Sequence, residues 1–241
     1  MALHIFETED EVLAALADHF AQVANQAISV RGKFSVALSG GNSPKKLYEL
    51  LASAYRTQID WEKVYFFFGD ERDVPKDNPD SNYLMAKTAL FDPLEISTLN
   101  IFPVDTSLPP KQAAQKYWET IELFFDDEEV GFDLVLLGLG DNSHTASLFP
   151  HTPVLHDRTP DVKEVYLEDK KIYRITMNAP LINEAKSIAF LVYGEGKAEA
   201  VHHVLEDDEN IEEYPAQLID SIVGEADWFL DETAAENLDN K

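Results

Sequence analysis

The chain has 241 residues, enough to bury one sizeable core or a core with a small subdomain. Its 45 acidic and 19 basic side chains leave a formal charge of −26, a field that repels phosphate backbones and argues against nucleic acid as a partner. Cysteine is absent, which excludes disulfides, thiolate metal sites and a cysteine nucleophile.

The amino terminus, Met1–Val12, has neither the basic start nor the apolar core of a secretory signal, and no apolar stretch reaches the roughly 18 to 20 residues of a membrane span. A soluble, cytoplasmic protein is expected. Thr8 with Glu11 matches a capping box, and Leu13, Leu16, Phe20, Val23 and Ala27 follow at helical spacing, so an amphipathic helix begins here. Phe34–Leu38 reads as a short buried strand that runs into Ser39-Gly40-Gly41-Asn42-Ser43-Pro44, with a helix from about Pro44 to Tyr55. Lys63–Phe68 is a second buried strand, ending in Gly69-Asp70-Glu71-Arg72. The turn-rich stretch Pro75–Asp80 precedes a helix near Ser81–Leu90, and a further strand over Leu99–Val104 leads to a helix over Pro109–Phe125.

Leu134–Leu137 is an unbroken apolar run that delivers a turn holding Gly138, Gly140 and His144, after which Thr145-Ala146-Ser147 can start a helix. His151–Asp169 carries prolines and charges without clear period, as expected of an excursion over the surface. Tyr173–Asn178 alternates like a half-exposed strand. Ser187–Tyr193 is another buried strand, closed by Gly194-Glu195-Gly196-Lys197 and a helix through Leu205. Continuous apolar strands alternating with helices predict an α/β fold with an open, mostly parallel, Rossmann-like sheet and helices on both faces. No repeat or linker divides the chain, so a single domain over 1–241 is expected, with 232–241 a frayed acidic tail.

Ligands of open α/β sheets bind at the carboxyl ends of the strands, and four such ends here carry chemistry. In the first turn, Gly40 and Gly41 allow close backbone approach, Asn42 or Ser43 can cap the next helix, and that helix start suits an anion. A plain strand-to-helix turn would read the same way. Arg72 offers a planar fork of donors for phosphate or carboxylate, although Asp70, Glu71 and Arg72 also fit a solvated surface network. Lys197 places a cation beside glycines after a buried strand. His144 can take or give a proton near neutral pH; a loop histidine bonding backbone is the plainer alternative. His202 and His203 are adjacent and point apart on a helix, so no metal site is expected, and no Gly-x-Ser-x-Gly elbow occurs. If the ligand is an anion, the few cations must gather at its site, where screening over about 8 Å lets them outweigh distant acids.

Taken together, Ser39-Gly40-Gly41, Gly69–Arg72 with Val74-Pro75 and Ser81-Asn82, the block His144–Pro150, Arg174–Thr176, Gly194–Lys197 and Trp228–Asp231 resemble the 6-phosphogluconolactonase family over about residues 5 to 235. The resemblance implies hydrolysis of 6-phospho-D-glucono-1,5-lactone to 6-phosphogluconate in the oxidative pentose phosphate pathway. The implied partner is a small phosphorylated sugar lactone, with no metal, organic cofactor, nucleic acid or membrane involved. The family's histidine matches His144 and its second catalytic cation Arg174. Substrate binding falls to Ser39, Gly40, Gly41, Asn42, Asp70, Arg72 and Lys197. The family block usually reads Asp-Gly-His, whereas this chain has Asn142-Ser143-His144; Asn142 can orient the imidazole but brings no charge, and Asp141 is one residue out of register.

The mechanism so implied has neutral His144 taking a proton from water, with Arg174 or backbone N–H groups of Gly138–Gly140 meeting the oxyanion. A helix start near His144 would help hold it neutral. Two alternatives stand beside this reading. A glucosamine-6-phosphate deaminase/isomerase shares the glycine and Asp-Glu elements but uses an Asp-x-His pair, and a non-catalytic sugar-phosphate effector domain would bind without turnover.

Overall fold

The computed structural model describes residues 1–126 and 129–239. In chain order the elements begin with β1 (Ala2–Phe6), α1 (Glu9–Arg31), β2 (Phe34–Leu38), α2 (Asn42–Ala54), β3 (Val64–Phe68) and β4 (Asp70–Arg72). Next come α3 (Asn82–Ala86), a π-helical turn Lys87–Phe91, α4 (Asp92–Leu94), α5 (Pro110–Phe125), β5 (Leu134–Leu137) and β6 (Val162–Leu167). The rest are β7 (Ile172–Met177), α6 (Ala179–Asn183), β8 (Ser187–Val192), α7 (Ala198–Leu205) and β9 (Glu225–Asp231).

Six strands form one parallel sheet in the order β1-β9-β8-β5-β2-β3. Side chains alternate across it with period two. Phe34, Val36 and Leu38 of β2 and Leu134 and Leu136 of β5 enter the core beneath α1 and α2. Ala37, Val135, Leu137, Ile188 and Phe190 enter the opposite core, beneath α5, α6 and α7. Both faces are therefore dry, and the apolar runs in the sequence are the direct signature of that burial.

A second, antiparallel sheet has the order β4-β7-β6. It is joined to the main sheet at Gly69, whose N–H donates to Leu38 O of β2 at 2.9 Å and whose carbonyl accepts from Met177 N of β7 at 2.8 Å. This junction swings the β4–β7 ribbon over the carboxyl ends of β2 and β5. α1 starts as expected, with Glu11 N donating to Thr8 Oγ1 at 3.3 Å and Thr8 N to Glu11 Oε2 at 3.0 Å.

Several expectations change. Leu99–Val104 lies beside β3 but forms only one bridge, Ile101 with Phe66, because the next groups β3 could offer, Phe68 N and O, are taken by the Tyr117 hydroxyl at 2.7 and 3.3 Å. No helix follows His144; Thr145 and Leu148 bridge across a tight turn instead. The stretch 151–169 is not wholly an excursion, since Val162–Leu167 is β6, paired along its length with β7. The segment after Glu232 does not fray as far as it is described: Glu232 N donates to Phe6 O at 2.8 Å, and Ala234, Ala235 and Leu238 are buried. Residues 240 and 241 of the expected tail lie outside the described residues.

Truncation after Glu232 should lower stability by about 2 to 4 kcal/mol, from the lost burial of one leucine and two alanines. Urea unfolding followed by tryptophan fluorescence measures this; an unchanged midpoint would mean the segment contributes nothing.

Candidate active site

The four strand ends meet in one cleft of about 350 Å³ at the carboxyl edge of the parallel sheet. Ser39, Gly40, Gly41 and Asn42 line it from the first turn, and Asp70 and Arg72 from β4. His144, Arg174 and Lys197 complete it. Asn142 stands behind, in hydrogen-bond contact with His144.

The first turn is fixed from below by buried Tyr48, whose hydroxyl donates to Ser39 O at 2.8 Å and accepts from Ser39 N at 3.1 Å. Gly40 is obligatory for a local reason: a Cβ there would fall 1.8 Å from Asn82 Oδ1. Neither Asn42 nor Ser43 caps α2, contrary to expectation. The cap is Gly41, at φ 117°, with no side-chain bond, so the first N–H groups of α2 have no side-chain acceptor at the cap.

Asp70 is buried, and both its oxygens are engaged: Oδ2 accepts from Ser147 Oγ at 2.6 Å and Oδ1 from Asn82 Nδ2 at 3.1 Å. Glu71 accepts from the N–H groups of Arg72, Asn82 and Tyr83, each at 2.8 Å, and from Ser81 Oγ at 3.1 Å. Burial pushes its carboxyl above the ordinary range, against the pull of those donors. These acids build the site. The cations face it.

Arg72 and Arg174 lie directly opposite each other in the β4–β7 ladder. Like charges so placed repel, and the anionic groups of a bound ligand would relieve that repulsion. Arg72 Nη1 donates to Asp80 O at 2.8 Å. Among the described residues, Arg174 Nε and Nη1 are buried without a hydrogen-bond partner, and burial lowers the guanidinium's affinity for its proton. Unpaired buried donors are costly, so this arginine is built to receive an acceptor the chain does not itself supply.

His144 sits on a turn whose geometry explains its glycines. Gly140 N donates to His144 O at 2.8 Å, Ser143 takes a left-handed conformation at φ 59°, and a Cβ on Gly140 would fall 2.0 Å from His144 Nδ1. Asn142 Oδ1 lies 2.5 Å from Nδ1. A carbonyl oxygen only accepts, so Nδ1 carries the hydrogen and Nε2 is left as the basic nitrogen. The imidazole stacks on Phe149. Its pKa is pushed down to about 4, first by burial and then by Lys170, Lys197 and Arg174, with Asp70 opposing. No helix begins at His144, so burial and cations, not a helix dipole, keep it neutral.

The model for the family described as glucosamine-6-phosphate isomerases/6-phosphogluconolactonase matches residues 7–228. The chain belongs to this family. It is 45% identical over 218 residues to a protein of Synechocystis sp. named 6-phosphogluconolactonase, covering 88% of each chain. A Nostoc sp. protein of the same name is 38% identical, with 98% of each covered. Among solved structures, the devB protein superposes with a TM-score of 0.87 at 33% identity, over 98% of this chain and 99% of that one. The 6-phosphogluconolactonase from Trypanosoma cruzi gives 0.86 at 27%, over 99% and 97%. A monomeric glucosamine-6-phosphate deaminase, at 20% identity and a TM-score of 0.84, shares the fold.

Asn142 stands where the resemblance leads one to expect an acid, and Asp141 does not replace it. Its exposed carboxylate turns instead to Lys197 Nζ, so Lys197 is already paired. Three neighbours went unseen in the sequence: Lys170 near His144, Tyr193 at the cleft rim and the stacked ring of Phe149. Lys170 rises from the β6–β7 hairpin, just past the stretch without period. Phe149 stands within the His144 block, and only the turn reveals that it doubles back.

Gly140→Ala should displace the imidazole and cut kcat at least about 100-fold, with far-ultraviolet circular dichroism unchanged. The His144 ring, followed by NMR, should titrate near 4 rather than at its ordinary 6.5. Between those values the unfolded chain binds a proton that the folded chain does not, so this group makes stability fall as pH drops through that window.

Proposed function

We propose that this chain hydrolyses 6-phospho-D-glucono-1,5-lactone to 6-phosphogluconate, with His144 as general base. The observation that carries the reading is the His144 imidazole, held at Nδ1 by Asn142 Oδ1 in a cleft shared with Arg72, Arg174 and Lys197; burial and those cations favour its neutral form. The extent of similarity to proteins named 6-phosphogluconolactonase supports the substrate class. Among the described residues, no group of three or more histidines and acids is placed to hold a metal ion, and the steps below use the chain's own groups alone.

In the proposed sequence, Nε2 of His144 removes a proton from water as the water oxygen bonds to C1 of the lactone. The carbonyl electrons move onto oxygen and are met by preorganised donors. Two candidates stand for that role: Arg174, whose Nε and Nη1 have no partner among the described residues, and the N–H groups of Gly138 and Leu139 in the turn, that of Gly140 being already given to His144 O. The tetrahedral centre then collapses, the C1–ring-oxygen bond breaks, and the imidazolium returns its proton to the ring oxygen. General acid–base help of this kind contributes about 10² to 10⁴ in rate. Arg72, Lys197 and the first turn hold the 6-phosphate, with Lys197 exchanging Asp141 for the incoming anion.

His144→Gln should lower kcat by at least about 100-fold on freshly generated phospholactone. Arg72→Ala should mainly raise KM. Near-normal turnover in the first variant, or an unchanged KM with a lost kcat in the second, would remove the respective role. Because the neutral imidazole is the active form, kcat/KM should stay level on acidification until the pH nears 4, then fall. Ammonia release from glucosamine 6-phosphate, or tight binding without turnover, would replace the whole reading.

A further inference from the structure

His144 and Phe149 are five residues apart, and the turn between them folds the two rings face to face, with centroids 4.1 Å apart and planes inclined by 19°. The turn has little freedom. Thr145 Oγ1 donates to Gly138 O at 2.8 Å, Leu148 N to Thr145 O at 2.9 Å and Ser147 N to Thr176 Oγ1 at 3.1 Å. Ser147 Oγ is held by Asp70, and Leu148 is fully buried. The phenyl ring is thus carried by the same clamp that carries the imidazole.

A general base becomes a cation midway through its work, and that cation needs support. The in-plane partner of His144 is Asn142, which is neutral. Among the described residues, Asp70 is the acid that favours the charged form, and both its oxygens already accept hydrogen bonds from Ser147 and Asn82. Lys170 from the β6–β7 hairpin, Lys197 and Arg174 all oppose the charge. What remains in direct contact is the face of Phe149, whose π electrons attract a cation.

We propose that Phe149 is a positioning residue for His144: its ring fixes the imidazole plane, and its π face supports the imidazolium between the two proton transfers. This deepens the reading of His144 as base and rests on it. The Lys170 ammonium, 5.6 Å from the Phe149 centroid, draws on the same π density and sets a limit to that support.

The test uses Phe149→Leu, which keeps most of the apolar volume and loses the π face. Alanine is unsuitable, because Phe149 also borders a neighbouring cavity and its removal would admit water. F149L should lower kcat about tenfold while KM stays within about twofold, as expected for one lost cation–π contact. The His144 ring should titrate lower in F149L than in the wild type, and F149Y should restore both values. In an H144Q background, F149L should cause no further loss. A wild-type kcat in F149L, a loss that F149Y does not repair, or a loss that persists without His144 would overturn the inference. Should H144Q itself turn over normally, the general-base reading fails; should H144Q be inactive and F149L unaffected, only the role of Phe149 fails.

Discussion

The buried carboxylate of Asp70 is the point on which the site is assembled. One oxygen holds Ser147, and through it the turn that presents His144; the other holds Asn82, at the start of α3. Asn82 in turn presses on Gly40, where there is room only for hydrogen. Asp70 itself belongs to β4, whose partner strand brings Arg174 beside Arg72. One desolvated anion thereby ties together four segments that are far apart in the chain. A buried charge is tolerated only when paired or well hydrogen-bonded, and here the bonds it demands are those that align the site.

The electrostatics follow a similar division of labour. A chain of formal charge −26 would repel an anionic substrate if its charge were spread evenly. Its acids near the cleft are instead occupied: Asp70 and Glu71 by backbone and side-chain donors, Asp141 by Lys197. Arg72 and Arg174 remain directed at the cleft. The Asp141–Lys197 pair is exposed on the acid's side, where an ion pair contributes about 0 to 1 kcal/mol. A doubly charged phosphate competes with it easily, so the pair holds the lysine in place without closing the site.

The strands β2, β3, β5 and β8 were legible because burial on both faces leaves an unbroken apolar run. β9 is equally buried but is interrupted by Asp227 and Asp231; Asp231 accepts from Gly194 N and Ala234 N, so its acidity serves a turn while its position serves the sheet. β1 and β6 are edge strands with mixed exposure, and their patterns are too weak to read alone. Most residues lining the cleft were legible because they stand at the carboxyl ends of parallel strands, where the fold gathers them; Arg174, the third residue of β7, was marked by the resemblance alone. Lys170 and the Phe149 stack depend on a hairpin and a left-handed turn at Ala146, φ 47°, which no local periodicity encodes.

An amide at Asn142, where the resemblance leads one to expect a carboxylate, has a chemical consequence that the rest of the site makes intelligible. A carboxylate at Nδ1 would stabilise the imidazolium and raise the basicity of Nε2; an amide fixes the tautomer without that charge. With burial and three cations acting in the same direction, His144 becomes a weak base, and its conjugate acid becomes a strong one. Weak basicity would be a handicap against an amide, but a lactone carbonyl is already reactive and asks little of the attacking water. In the proposed reaction the harder demand falls on the ring oxygen, which must receive a proton as the C1–O bond breaks. There an imidazolium with so low a pKa would give its proton up readily, so the environment that slows the first transfer would favour the second.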